Sequence, residues 1–439
     1  MTRQYTRRSL LALAAAGATA GCLGNSEYFW DDPPAFDRSG LESVTDRPVP
    51  DRPAVIPVAL TESQRGDLRE RVESRLATVP EPLTAERLPN GTIRETIVDH
   101  RAEARSALKG MRSASGTVRT VEAAAHAAAH AGLAAAIWAA VLVDRSPADV
   151  VLTNTQAEDR VQRAEEALPG RAADTQSAVV VYGALESGLS EASHDMLAGG
   201  TTSPLRVGRY AATNERAWAW TTAAGFVRDR YESSLTDPDP VDDALEEAVA
   251  TLVEPTRERL VEFRPSESDE KLYRRPDRDA LVERDVRQGE PGMALLGEKL
   301  DEVYPNYDLR TVVWSDQGSY PAYRLRETHW VYAALDALET VIARIDDGAD
   351  LFPPDAATIE STRQEAIEAV ETLVGSDQPL DRFVGSRLAE TLTEADDALA
   401  GADDDIQTVS SAHSEYVWTR LVAEAVPAAT ETIIAAIEG

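Results

Sequence analysis

Cysteine is almost missing from this chain: its 439 residues include one, Cys22, so no disulfide can form within a single copy. A body without cross-links has to hold together by packing alone. Lysine is nearly as scarce. Lys109, Lys271 and Lys299 are the only three among 44 basic residues, whereas Asp and Glu number 76 and the net charge is −32. The acidic excess runs along the whole chain, and no basic stripe stands clear of acidic neighbours, which argues against a nucleic-acid partner bound through clustered Lys and Arg. Catalytic signatures are lacking as well. There is no glycine-rich phosphate loop, no Gly-x-Ser-x-Gly and no His-Glu-x-x-His, so an enzyme would have to assemble a scattered site. Strand signals are nearly absent; the one candidate, Leu309 to Trp314, has no partner and reads as an irregular loop.

A charge of this size repels itself in dilute salt, but at molar salt the Debye length falls to ~3 Å and neighbouring carboxylates scarcely interact. An acid-rich, lysine-poor composition is similar to that of halophilic archaea; a GC-rich genome, favouring Arg, Ala, Asp and Glu codons, is the alternative source.

At the amino terminus, Thr6-Arg7-Arg8-Ser9-Leu10-Leu11 is followed by an apolar or small-residue run from Ala12 to Gly21, and then by Cys22. This is the three-part layout of a secretory signal, and the run is too short for a spanning helix. Arg7 and Arg8 resemble the twin-arginine export signal, with Leu10 and Leu11 as the apolar positions after it. Thr19-Ala20-Gly21-Cys22 resembles a lipobox, although Thr19 replaces the usual leucine. The resemblance, to haloarchaeal twin-arginine-exported lipoproteins, is confined to this end. It implies a signal peptide over 1–21, lipid on Cys22, and a mature chain anchored to the outer face of the cytoplasmic membrane. Residues 22–55, with Asp31-Asp32-Pro33-Pro34 and prolines at 48, 50 and 53, show no sustained period and read as an extended tether carrying the aromatic patch Tyr28-Phe29-Trp30.

From residue 56 onward apolar residues recur at helical spacing between caps. Leu68, Val72, Leu76 and Val79 follow a Thr61-x-x-Gln64 capping box, and Ile359, Ile367, Val370 and Val374 follow Asp355, with Gly375 as the stop. Similar segments lie near 91–113, 117–143, 154–168, 172–198, 205–233, 240–263, 284–303, 322–347, 380–400 and 405–437. The expected fold class is all-α, a multi-helix bundle with a first helical lobe over 56–263, a linker at 264–276 and a second lobe over 277–439. Ala123 to Val143 holds no formal charge; its alanines, two histidines and missing aromatic belts favour a buried central helix over a membrane span.

One internal pattern recurs: Glu215-x-x-Trp218, Glu327-x-x-Trp330 and Glu415-x-x-Trp418, each on a helical segment leading into an Ala-rich run, with the helix from Glu122 as a possible fourth copy that lacks its tryptophan. Residues three apart share a helix face, so these pairs are candidates for a ligand-contacting surface; ordinary core tryptophans beside solvated glutamates are the alternative. His126 and His130, at i and i+4, have the spacing that lets two imidazoles meet one metal ion, and Glu122 lies one turn before them. Glu191-x-x-His194 adds the pairing used by carboxylate-bridged bundles, although such a bundle needs a second copy. Iron or zinc is the metal these residues would take. Asn90-Gly91-Thr92 matches a glycosylation acceptor.

Two functional expectations follow. The first is a lipid-anchored, exported, non-enzymatic binding or interaction protein of the haloarchaeal cell envelope, its protein or small-molecule partner unspecified. The second is a metal-handling helical lipoprotein of di-iron or imelysin-like type, and a scattered-site hydrolase with burial-shifted carboxylates stands as a third class.

Overall fold

The computed structural model describes residues 36 and 38–439 apart from 115, 144–146, 169, 195–202, 263–294, 296–298, 300–319, 350, 352 and 403–404. The signal with Arg7 and Arg8, the lipidation candidate Cys22, the Tyr28-Phe29-Trp30 patch, the 264–276 linker and the Leu309 to Trp314 segment lie outside the described residues.

Among the described residues the architecture is all-α. Twelve helices are α1 (Arg38–Val44), α2 (Glu62–Ala77), α3 (Gly91–Ser113), α4 (Thr117–Val143), α5 (Pro147–Glu165), α6 (Thr175–His194), α7 (Pro204–Ser234), α8 (Asp242–Glu262), α9 (Pro321–Asp346), α10 (Ala356–Val374), α11 (Pro379–Ala400) and α12 (Ile406–Glu438). The only strands described are a two-residue antiparallel pair, β1 (Arg171–Ala172) with β2 (Asp239–Pro240).

The helix starts follow local chemistry. Thr61 and Gln64 exchange both capping-box hydrogen bonds. Asn90 accepts from Ile93 N at 3.2 Å, so the glycosylation candidate is the exposed N-cap of α3. Asp355 accepts from Thr358 N at 2.8 Å and opens α10, whose last turn ends at Gly375 with right-handed backbone, φ −83°.

The chain forms two helical lobes, which divide within α8 at 249/250 and within α9 at 326/327. One lobe comprises residues 53–249 and 317–326. In it α4 packs against α2, α3 and α7, while α6 and α5 also pack on α7. Helix α4 is long and apolar enough to cross a membrane, but half of that apolar window is buried by these neighbours, from Ala124 through Ile137. Alanine makes this possible, because a small side chain lets backbones approach closely; the side chain of Ile137 and the carbonyl of Leu133 lie directly against Gly208 of α7.

The other lobe comprises residues up to 52, 250–316 and 327–438, with α10, α11 and α12 packed mutually. Here the extended-tether expectation needs correction. Residues 38–44 form helix α1, which docks on α10 and α11 with Phe36, Leu41 and Val44 buried. Arg47 then reaches Glu368 and Glu371, and Arg52 reaches Glu390 at 2.8 Å. Three apolar contacts over nine residues gave too short a period to register beside the flanking prolines, and only the receiving helices make the segment ordered.

The lobes share a local pattern. Ile97-x-x-x-Arg101-x-Glu103-Ala104-x-x-Ala107-Leu108 on α3 corresponds to Ile359-x-x-x-Arg363-x-Glu365-Ala366-x-x-Ala369-Val370 on α10. Each pattern buries its arginine against a backbone carbonyl of an earlier segment, Arg101 on Pro80 O at 2.8 Å and Arg363 on Arg47 O at 2.7 Å. In both lobes a second helix follows directly, and the next helix to carry Glu-x-x-Trp is α7 in one lobe and α12 in the other. Among the described residues, helices α5 and α6 stand between α4 and α7 with no counterpart between α11 and α12.

Candidate functional site

Each Glu-x-x-Trp pair holds a cation supplied by another part of its own lobe. Glu215 of α7 accepts from Arg71 Nε and Nη2 at 2.7 and 2.9 Å and from Arg75 Nε at 2.8 Å, while the Arg71 guanidinium lies 5.2 Å from the Trp218 ring centre. Gly132 of α4 lets this carboxylate through, since a Cβ there would stand 2.6 Å from Glu215 Cγ. In the other lobe, Arg387 of α11 sits 3.7 Å from Glu327 Oε2 and 3.8 Å from the Trp330 ring centre. Lys299 likewise spans Glu415, at 2.7 and 2.8 Å, and the Trp418 face at 6.0 Å.

The pattern therefore has a physical basis: a carboxylate and an aromatic face one helical turn apart form a seat for a guanidinium or ammonium group. All three seats are filled by side chains of the chain itself. They act as ties between segments, and the residues are divided between the lobes, Glu215 and Trp218 in one and the other four in the second.

The histidine expectation is met by a different partner set. His126 and His130 on α4 do lie together, with ring centres 4.3 Å apart, and His100 of α3 joins them, its Nδ1 2.7 Å from His130 Nδ1. That contact is a hydrogen bond, so one of the two rings carries its proton on Nδ1. Two imidazole nitrogens on a tetrahedral ion at ~2.0–2.1 Å bonds would stand ~3.3 Å apart. Burial holds all three imidazoles below the ordinary histidine range, His130 down to about 3, and the nearby Arg216 charge adds to this for His126 and His130.

The expected carboxylates do not complete the set. Glu122 is exposed, and Glu191 pairs with Arg216 at 3.3 Å. His194 ends α6, and its side chain lies outside the described residues. Among the described residues no group of three or more His, Cys, Asp or Glu is placed to hold a metal ion.

Two buried polar arrangements have no single-residue motif to announce them. Glu186 of α6 is 1% exposed, and its Oε2 accepts from Tyr323 N at 2.7 Å in the first turn of α9. Its other oxygen has no hydrogen-bond partner among the described residues, and burial pushes its carboxyl up to about 8 despite the amides and the Arg326 charge. The approach is close because Gly183, one turn earlier, lies against the Ala322 carbonyl. Tyr320, just before α9, has φ +76° and donates its hydroxyl to Glu165.

In the other lobe His329 Nε2 lies 2.8 Å from Thr430 Oγ1, which donates to Asp381 Oδ1 at 2.6 Å, and Ser376 donates to Asp381 Oδ2 at 2.8 Å. The order resembles a catalytic relay but runs the wrong way. The threonine proton already goes to Asp381, so the imidazole donates to the hydroxyl instead of activating it, and Thr430 is 3% exposed. Burial brings His329 down to about 4, consistent with a neutral imidazole.

Fold and site together define an all-helical protein of two lobes whose interior polar groups are largely tied to one another. Residues 63–237 match the family model described as Domain of unknown function (DUF8262), and residues 242–435 match that described as Domain of unknown function (DUF8264). The two matches meet beside β2, a few residues before the division within α8. No curated protein and no solved structure matches the chain.

Proposed function

We propose that this chain is an exported lipoprotein, held on the outer face of the cytoplasmic membrane through Cys22, whose two helical lobes serve as a binding or interaction module of a cell envelope bathed in concentrated salt. The observation that carries the reading is Arg7-Arg8 followed by an apolar run ending at Cys22, the one cysteine of the chain. Two features support it. The histidine, Glu-x-x-Trp and His329 groups are engaged with one another or with arginine and lysine side chains inside each lobe, which gives them structural work. The arginine-carboxylate ties and the −32 charge suit a chain that folds before export into brine.

Mass spectrometry of the purified protein tests this directly: the mature chain should begin at Cys22 and carry a thioether-linked lipid, and Cys22→Ala should leave the membrane fraction. Conversion of Arg7 and Arg8 to lysine should hold the precursor in the cytoplasm. An unprocessed amino terminus in membrane-bound protein would overturn the reading.

A further inference from the structure

Three large hydrophobic side chains are strongly exposed among the described residues: Val98 at 43%, Leu142 at 52% and Leu205 at 37%. All three belong to the lobe built on α3, α4 and α7. Packing places them toward one end of it. Ile97 of α3 shares a core cluster with Ala134 and Ile137 of α4, and Ile137 also packs on Gly208 of α7. Leu205 stands one turn before Gly208, and Leu142 just over one turn beyond Ile137, so the start of α7 and the end of α4 reach the same level. Ile93 in the first turn of α3, and Trp138 and Val141 of α4, extend the apolar surface because they are only partly buried.

Both signs of charge stand near this end in the sequence: Arg87 precedes Leu88 of the core cluster, Arg94 donates to the Leu88 carbonyl at 2.7 Å, and Glu86, Glu95 and Asp99 lie beside them. Arg206 and Arg209 are exposed on the first turns of α7, beside Leu205. Exposed leucines with a tryptophan and arginines around them match a lipid headgroup boundary: apolar tips enter the acyl layer, the indole sits at the interface, and guanidinium groups reach the phosphates.

We propose that this end of the lobe, centred on Leu142 and Leu205, seats in an anionic lipid bilayer, giving the chain a second membrane contact besides the lipid on Cys22. The inference rests on the reading that the protein works at a membrane, and its test is independent of lipidation. The mature full-length chain with Cys22→Ala would be floated with vesicles of equal phosphatidylglycerol and phosphatidylcholine in concentrated KCl, where screening isolates the apolar contribution. The chain should float, and Leu142→Glu with Leu205→Glu should lower vesicle binding by roughly tenfold or more. Because both side chains are exposed, the double variant should keep its circular dichroism and melting temperature.

Absence of flotation, or flotation indifferent to the double variant, would overturn the proposal. So would a dimer, seen by light scattering, that the double variant abolishes, since a second copy would then cover the surface. Vesicle binding with no lipid found on native Cys22 would defeat the anchor and leave the surface intact.

Discussion

Replacing Arg363 by methionine should destabilise the lobe that contains it by an amount its geometry defines. The side chain is 2% exposed; it meets Asp396 through Nε–Oδ1 at 2.8 Å and Nη2–Oδ2 at 2.6 Å, and also donates to the Arg47 carbonyl at 2.7 Å. Asp396 keeps one further donor, Tyr416 Oη at 2.8 Å, and is 17% exposed. Removing one partner of a buried pair costs ~3–5 kcal/mol, mostly from the charge left behind, and the partial exposure of Asp396 places this case near ~3 kcal/mol. At ~2–4 °C per kcal/mol for a lobe of this size, melting should fall by ~6–12 °C.

Calorimetry in concentrated KCl is the assay, because surface pairs are screened there and this desolvated one is not. Two controls define the mechanism. Arg105→Met, at the exposed pair with Glu81, should leave the melting temperature close to that of the parent. Adding Asp396→Leu to Arg363→Met should recover a large part of the loss by removing the stranded charge. A single variant melting within ~2 °C of the parent, or a double variant no better than the single, would refute the reasoning.

Four other outcomes are expected. Glu186 is a neutral acid in the fold up to about pH 8 but ionises near 4.5 when unfolded, so its contribution is complete below that lower value and is lost as pH rises through 8; Glu186→Gln should flatten this slope, and parallel pH profiles of melting would contradict it. His329 and His413 titrate near 4 in the fold against an ordinary 6.5, so acid should destabilise the chain across that window, and a His329→Gln variant should reduce the acid slope if the fold holds the imidazole neutral. Gly188→Ala should cost ~1–3 kcal/mol because its Cβ would lie 2.2 Å from Trp220, whereas Gly225→Ala, with open space, should stabilise by ~0.5–1 kcal/mol; equal melting shifts would count against the packing. Elemental analysis of chelator-free protein should find no stoichiometric iron or zinc, and metal lost on converting both His126 and His130 to alanine would restore the metal-handling reading.

The helices were legible in the sequence because helix formation is written in local order. Thr61, Asn90 and Asp355 satisfy backbone amides within three residues, and apolar positions recur with the period that any receiving surface demands. The same locality made the 117–143 helix visible with its two ends, and its packing against α2, α3 and α7 buries half of its apolar stretch. Helix α1 was illegible for the complementary reason: seven residues carry too little period, and their order comes from α10 and α11.

Composition and short-range order determined the helical class, most helix limits and the presence of an export-like amino terminus, although α5 begins at Pro147 where the sequence placed its start near 154. What each polar side chain faces was decided only by tertiary structure. Glu215 and Trp218 read alike as a ligand seat or as core until Arg71 arrived from 144 residues away, and His126 with His130 read as metal ligands until His100 and Arg216 came to their side. The physical reason is that a carboxylate, an imidazole or an indole takes its role from the charge and the water around it, and those are set by helices distant in the chain.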